Sequence, residues 1–206
     1  MTVDKILGET KTVRELLKGV KYAIDYYQRE YKWQEKQVGE MLDDLCDTFR
    51  EGYDPSHART KVAEYPRYFL GSIIISDKGG ESHIVDGQQR LTSLTLLLIF
   101  LNNLQKKLPG QVNVDELIFS EKYGEKSFNI HVDERTPLME ALFKDQPVDV
   151  AGKPESVQNL HHRYEDLKDS FPEDLRENAL PYFIDWLLEN VVLVKITADS
   201  DEDAYT

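Results

Sequence analysis

Apolar and polar positions along the chain alternate with two periods, and the switches between them outline the elements. Leu91, Leu94, Thr95, Leu98, Leu101 and Leu104 recur at three- and four-residue steps with further apolar residues between them. That pattern predicts a long helix from Gln88 to about Lys107, apolar on almost every side and therefore buried. Val38, Met41, Leu42, Leu45 and Phe49 form a single stripe, which predicts an amphipathic helix from Gln34 to Arg50 stopped at Gly52. Thr12-Val13-Arg14-Glu15 has capping-box spacing and predicts a short helix from Val13 to Lys18, ended by Gly19. Tyr22 to Tyr26 and Tyr68 to Ser76 read as strands. His83 to Val85 is the hairpin partner of the second, across Lys78-Gly79-Gly80. Residues 27–33 form a polar and aromatic loop, and 52–66 a second loop holding Pro55 and Pro66.

Pro109-Gly110 closes this first unit. Beyond it the pattern predicts strands at Leu117 to Ser120 and Ser127 to His131, joined by Lys122-Tyr123-Gly124. Helices follow at Pro137 to Phe143, Val157 to Lys168 and Leu175 to Leu188, then a strand from Val191 to Ile196. Asp199 to Asp203 reads as the acidic start of a further helix. The expected fold is α+β: a small mixed sheet from 22–26, 68–76 and 83–86 with packed helices, covering residues 1–110. A mainly helical, acidic continuation over 111–206 forms a lid or partner surface.

Charge sharpens that division. Residues 1–110 hold 16 Lys and Arg against 16 Asp and Glu, so the whole net charge of −13 falls on 111–206, with 9 basic and 22 acidic residues. An acidic surface serves solubility and opposes general binding to phosphate backbones, so DNA contact is expected from the neutral half. The lone cysteine, Cys46, excludes an internal disulfide and sits in the amphipathic helix as packing. The N-terminus lacks a signal-peptide pattern and the apolar run from Leu94 to Leu101 is too short to span a bilayer. A cytoplasmic protein with no membrane contact is expected.

The candidate chemistry lies where the short strand becomes the long helix, at Asp86-Gly87-Gln88-Gln89-Arg90. A helix start offers free N–H groups and the positive end of the dipole to an anion. Gly87 allows a tight turn and close approach of a ligand, and Arg90 can fork two hydrogen bonds onto a phosphate. Asp86 can hold a divalent metal, Mg²⁺ for a phosphate substrate, or orient a water. Asp-Gly before a helix also serves simply as a turn and cap, but that leaves two glutamines and an arginine crowded at the start of a buried helix in need of partners. Other catalytic templates are missing: Gly152-Lys153-Pro154 lacks the rest of a P-loop, and there is no zinc-ligand spacing, nucleophile elbow or dinucleotide glycine fingerprint. His161-His162 are adjacent on a helix and diverge, while His83 lies three residues before Asp86 and reads as a core or edge histidine near the turn.

Three further segments stand in order with this turn: Tyr27-Gln28-Arg29-Glu30-Tyr31-Lys32-Trp33, Tyr68-Phe69-Leu70-Gly71-Ser72-Ile73 and Val194-Lys195-Ile196-Thr197 before the acidic stretch. Together they resemble the N-terminal domain of the GmrSD-type, modification-dependent restriction endonucleases, whose core is similar to ParB and sulfiredoxin. The resemblance is specific over 22–104, while 111–190 match only in being helical. It implies a domain that binds and hydrolyses a nucleoside triphosphate, senses modified foreign DNA and gates an HNH-type nuclease, fused or separate, with a homo-oligomer possible. It implies that Gln28 and Arg29 join Gly87, Gln88, Gln89 and Arg90 around the nucleotide, with Asp86 and Arg90 catalytic. Tyr27, Tyr31 and Trp33 would stack on a base, or else clasp the strand–helix unit. Members continue beyond the acidic stretch, so a truncated chain is expected, and no HNH signature is present. The alternatives are a non-catalytic sensor that clamps DNA or phosphate, and an adaptor whose acidic half docks a basic partner. Thiol repair, suggested by the sulfiredoxin kinship, is rejected because Cys46 lies far from the turn.

Overall fold

A computed structural model describes residues 7–25, 28–78 and 80–198. In chain order, β1 (Leu7–Thr12) leads into α1 (Val13–Leu17), followed by β2 (Tyr22–Ile24), α2 (Glu35–Gly52), β3 (Tyr68–Lys78), β4 (Glu81–Asp86) and α3 (Gln88–Gln105). Then come α4 (Asp115–Ile118), β5 (Phe119–Lys122), β6 (Glu125–Phe128), β7 (Ile130–His131), α5 (Thr136–Phe143), α6 (Glu155–Ser170), α7 (Leu180–Glu189) and β8 (Val191–Ala198). Short 3-10 turns precede β3, α5 and α7, at Arg59–Glu64, Asp133–Arg135 and Glu173–Leu175.

The architecture is mixed α+β, as the sequence pattern predicts, but the sheet is larger. Its six strands run β1-β8-β3-β4-β2-β7. β8 lies between β1 and β3, antiparallel to the first and parallel to the second. β3 and β4 form the expected antiparallel hairpin, and β2 and β7 extend the sheet in parallel. β5 and β6 pair separately. The polar β1, LGETKT, carries no alternating pattern because it is an edge strand, exposed over most of its length. Residues 117–118, expected in a strand, close the short α4, and the strand begins only at Phe119. The expected helix 175–188 is a 3-10 turn followed by α7, which starts with Pro181 in its first turn. Tyr26, Tyr27 and the acidic stretch 199–203 lie outside the described residues.

The capping box forms as its spacing predicts. Thr12 Oγ1 accepts from Glu15 N at 3.1 Å, and Glu15 Oε2 accepts from Thr12 N at 2.8 Å. α3 is the central element: from Leu91 to Leu101 every side chain is buried, so no amphipathic face develops. It packs against α4, α5, α6 and α7. α2 buries Val38, Met41, Leu42, Leu45, Cys46 and Phe49 along the predicted stripe. Phe49, Phe183 and Trp186 meet with ring centroids 5.3 to 5.9 Å apart, and Trp186 donates Nε1–H to the Pro66 carbonyl at 2.7 Å. Among the described residues no helix is long and apolar enough to cross a membrane.

A candidate anion site at the start of the central helix

Two parallel neighbours, β2 and β4, finish at the same end of the sheet, with Ile24 opposite Ile84. β4 continues into Gly87, whose φ of +91° turns the chain directly into α3. A side chain at Gly87 would be strained by that angle, and its Cβ would come 2.7 Å from Ile73 Cγ2 and 3.2 Å from the Ser72 carbonyl oxygen. The glycine therefore allows both the turn and the close seating of the helix start on β3. β2 leads into a loop of residues 28–34 that passes over this helix start. Between them opens a cleft of about 330 Å³, walled by Val85 to Arg90 on one side and by Gln28, Glu30, Lys32 and Trp33 on the other.

α3 begins without a side-chain cap and without an acidic residue in its first turn. Its first intrahelical bond runs from Leu91 N to Gly87 O at 3.0 Å. The N–H groups of Gln88, Gln89 and Arg90 thus precede the hydrogen-bond ladder and form the positive end of the helix dipole at the cleft. Arg90 donates Nη1–H to the Ser72 carbonyl at 2.8 Å, which fixes the guanidinium over Gly71. Glycine suits this position, because φ at residue 71 is +127° and a Cβ there would lie 2.8 Å from Arg90 Cζ and displace the guanidinium. Among the described residues no carboxylate pairs with Arg90. Asp86 is exposed at the cleft mouth, and among the described residues it too lacks an ion pair.

The three amide side chains mostly hold protein. Gln28 Nε2 donates to the Val85 carbonyl at 2.8 Å. Gln89 lies flat on the loop: its Oε1 accepts from Lys32 N at 2.8 Å and Trp33 N at 3.2 Å, and its Nε2 donates to the Glu30 carbonyl at 2.8 Å. Gln88 is 9% exposed and donates Nε2 to the same carbonyl at 3.2 Å, while its buried Oε1 has no partner among the described residues. That orphaned acceptor sits in the wall of the cleft.

The aromatic and charged residues of the loop divide. Trp33 is half-buried in the cleft wall and Lys32 is exposed there, paired with Glu30 at 3.0 Å. Tyr31 points into the core at 1% exposure, with its hydroxyl 2.7 Å from Ser93 Oγ. Burial pushes its phenol up to about 12. Its ring acts as the clasp that sequence allows, and it presents no face for stacking. Tyr27 lies outside the described residues. Arg29 faces away from the cleft: its Nε donates to the Ile24 carbonyl at 3.2 Å, and it lines a separate depression beyond the loop. No Arg29–Asp86 pair forms among the described residues.

His83 is a half-buried histidine on the inner strand β4, its Nδ1 2.9 Å from Asp25 Oδ1, and it does not line the cleft. The rings of His161 and His162 lie 6.2 Å apart at a steep angle. Among the described residues no three His, Cys, Asp or Glu side chains gather as a metal centre. Cys46 is buried and burial pushes its thiol up to about 12, so it has no nucleophilic character near neutral pH. Sequence reasoning missed Ser72, whose carbonyl anchors Arg90, and the loop residues Glu30 and Lys32. A glycine inside an apolar strand, Gly71, was the available signal of a close approach.

A family model described as "GmrSD restriction endonuclease, N-terminal domain" matches residues 13–206. No curated protein matches the chain.

Proposed function

The chain belongs to the GmrSD restriction endonuclease N-terminal domains and so forms part of a restriction system acting in defence, and from that premise we propose that the cleft at the start of α3 is its nucleotide site. The observation that carries this reading is the uncapped helix start facing a cleft with Arg90 and the buried, unpartnered Gln88 Oε1 in its wall. Phosphate oxygens would accept from the first-turn N–H groups and from the Arg90 guanidinium. Gln88 Oε1 needs a donor, which a nucleobase amine, a ribose hydroxyl or a bridging water supplies. The half-buried face of Trp33 offers a stacking surface at one side, and the Arg90–Ser72 bond holds the guanidinium before the ligand arrives.

Asp86 is an exposed carboxylate without an ion pair among the described residues, which fits Mg²⁺ that arrives with a triphosphate and keeps most of its ligands from phosphate and water. Bound there, the ion would neutralise phosphate charge and polarise the phosphoryl group. Asp86 also stands where it can orient an attacking water, and Arg90 can stabilise charge on the transferred phosphoryl oxygens. In this reading nucleotide turnover gates an HNH-type nuclease on modified DNA. The alternative, a clamp on DNA without catalysis, draws less support, because the Gln28 and Gln89 amides are engaged with backbone and Glu30 and Asp86 add negative charge to the cleft.

Calorimetric titration of magnesium ATP and magnesium GTP tests the assignment. Arg90→Ala is expected to weaken binding at least tenfold, since charged hydrogen bonds are worth roughly 1.5–3 kcal/mol. Asp86→Ala is expected to abolish hydrolysis while binding without Mg²⁺ persists. Unchanged binding by the Arg90 variant would sink the nucleotide site. Steep loss of DNA affinity between low and moderate salt, with no nucleotide binding, would favour the clamp.

A further inference from the structure

The loop of residues 29–34 has no regular backbone partner, yet its peptide groups are met from two sides. From α3, Gln88 and Gln89 hold the Glu30 carbonyl and the Lys32 and Trp33 N–H groups. From the opposite side, side chains of the second half of the sequence hold the residues between. Arg135 Nη2 donates to the Arg29 carbonyl. Ser156 Oγ accepts from Tyr31 N at 3.0 Å, and Asn159 Nδ2 donates to the Tyr31 carbonyl at 3.3 Å. Arg163 Nη1 reaches the Trp33 carbonyl at 3.5 Å and Gln34 Oε1 at 3.4 Å. Tyr31 is the pivot, because its backbone is bound to α6 while its hydroxyl is bound to Ser93 of α3.

Arg135 shows how much this hold is needed. It is 4% exposed, it has no carboxylate partner among the described residues, and its Nε lacks a protein acceptor. A buried guanidinium in that state is unfavourable on its own account, and among the described residues its hydrogen bond is to the loop. The loop is also not packed solid. A depression of about 550 Å³, lined by Arg29 to Lys32 and by the start of α6, lies behind it, and shares Glu30 and Lys32 with the cleft in front. The loop is therefore a partition with space on both faces, fixed by the buried Tyr31 ring, by the half-buried Trp33 and by the hydrogen bonds its peptide groups receive.

We propose that Ser156, Asn159, Arg163 and Arg135 are positioning residues of the cleft: they set the loop wall against Gln88 and Gln89, so that the placement of α6 and the occupancy of the α3 start are linked. As far as the ligand is concerned, the inference rests on the nucleotide reading above. A ligand that draws Gln88 or Gln89 off the loop loosens Tyr31 from α6, and a partner that shifts α6 opens or closes the cleft. The second half of the chain thereby reads the state of a site formed in the first.

Residue-resolved hydrogen exchange on the ligand-free chain tests the link without any nucleotide. Losing one such hydrogen bond changes a local opening equilibrium by about five- to tenfold. Ser156→Ala is expected to speed exchange at Tyr31 and also at Lys32 and Trp33, which touch Gln89 and not Ser156. Ser156→Thr, which keeps the hydroxyl, is expected to restore all three. Asn159→Ala, which spares the α6 start, should reproduce the effect. A change confined to Tyr31 overturns the proposal, and so does an equal rise in β3 and β8, which would mean general loosening. Magnesium ATP titration forms the second arm. Binding weakened about fivefold by Ser156→Ala and restored by Ser156→Thr supports the link to the cleft, and equal affinity of wild type and variant overturns it. If the wild type binds no nucleotide, the nucleotide reading fails and exchange alone decides the linkage.

Discussion

At the scale of single residues, two glycines and an arginine set the geometry of the cleft. Gly71 and Gly87 remove side chains where β3 meets the start of α3, and Arg90 fills the space over Gly71. Gly87→Ala combines a left-handed backbone angle with a Cβ contact of 2.7 Å. It is expected to destabilise the fold by about 2 kcal/mol or more. Urea unfolding would show this as a lower midpoint with an unchanged slope, and an unshifted midpoint would mean the turn tolerates a side chain. The placement of Asp86 to Arg90 at a helix start was legible in the sequence because a strand-to-helix switch marks it. The division of labour among them was not. Gln89, Gln28 and Tyr31 have the residue types of ligand-binding groups, yet they spend their hydrogen bonds on backbone and core. Residue type states which bonds a side chain can make, and only the fold brings its partner within reach.

At the scale of elements, local signals succeeded where a single stretch of chain fixes the outcome. The capping box at Thr12 is of that kind. Thr12→Ala is expected to remove about 1 kcal/mol. In a domain of this size that lowers the melting temperature by about 2–4 °C. Calorimetry checks it, and an unshifted transition would show that α1 is held by tertiary packing alone. The stripe of α2 and the all-round apolar character of α3 were equally plain, since periodicity reports burial directly. β1, the break that splits the expected strand 127–131 into β6 and β7, and the change from α4 to β5 were not. β1 is a polar edge, β7 has two residues, and residues 117–118 are apolar in a segment too short to show a period.

At the scale of the whole molecule, β8 decides how the two halves of the sequence relate. It sits inside the sheet between β1 and β3, while α6 and α7 cover α3. A fragment of residues 1–110 would expose one side of α3 and leave β1 and β3 without the strand between them. It is expected to lack a cooperative unfolding transition by circular dichroism, and a sharp two-state transition would show that the first half folds alone. The core also sets an alkaline limit. Burial pushes the Cys46 thiol and the Tyr31 phenol up to about 12, and raises Tyr22 in the same sense. Each group keeps its proton longer when folded, so its contribution is complete below the ordinary values, 9.0 for the thiol and 10.0 for the phenols, and declines as pH rises toward 12. Arg135, lowered to about 10 by burial, acts in the opposite sense and is outnumbered by the buried thiol and phenols. The urea midpoint is therefore expected to fall between pH 9 and pH 11, and a flat profile would contradict the burial of these groups.

The sequence by itself determined the α+β class, the central helix, the hairpin that feeds it and the turn of Asp86 to Arg90. These depend on short-range periodicity, caps and glycines, which act within a few residues. The tertiary structure alone decided that β8 completes the sheet, that Arg29 and Tyr31 leave the cleft, and that Arg135, in the turn before α5, and α6 grip its loop wall. Those outcomes depend in large part on pairs far apart in the chain, such as Tyr31 with Ser93 and Ser156, and Arg29 with Arg135. No local pattern encodes such pairs, because the partners meet only after the chain has closed around α3.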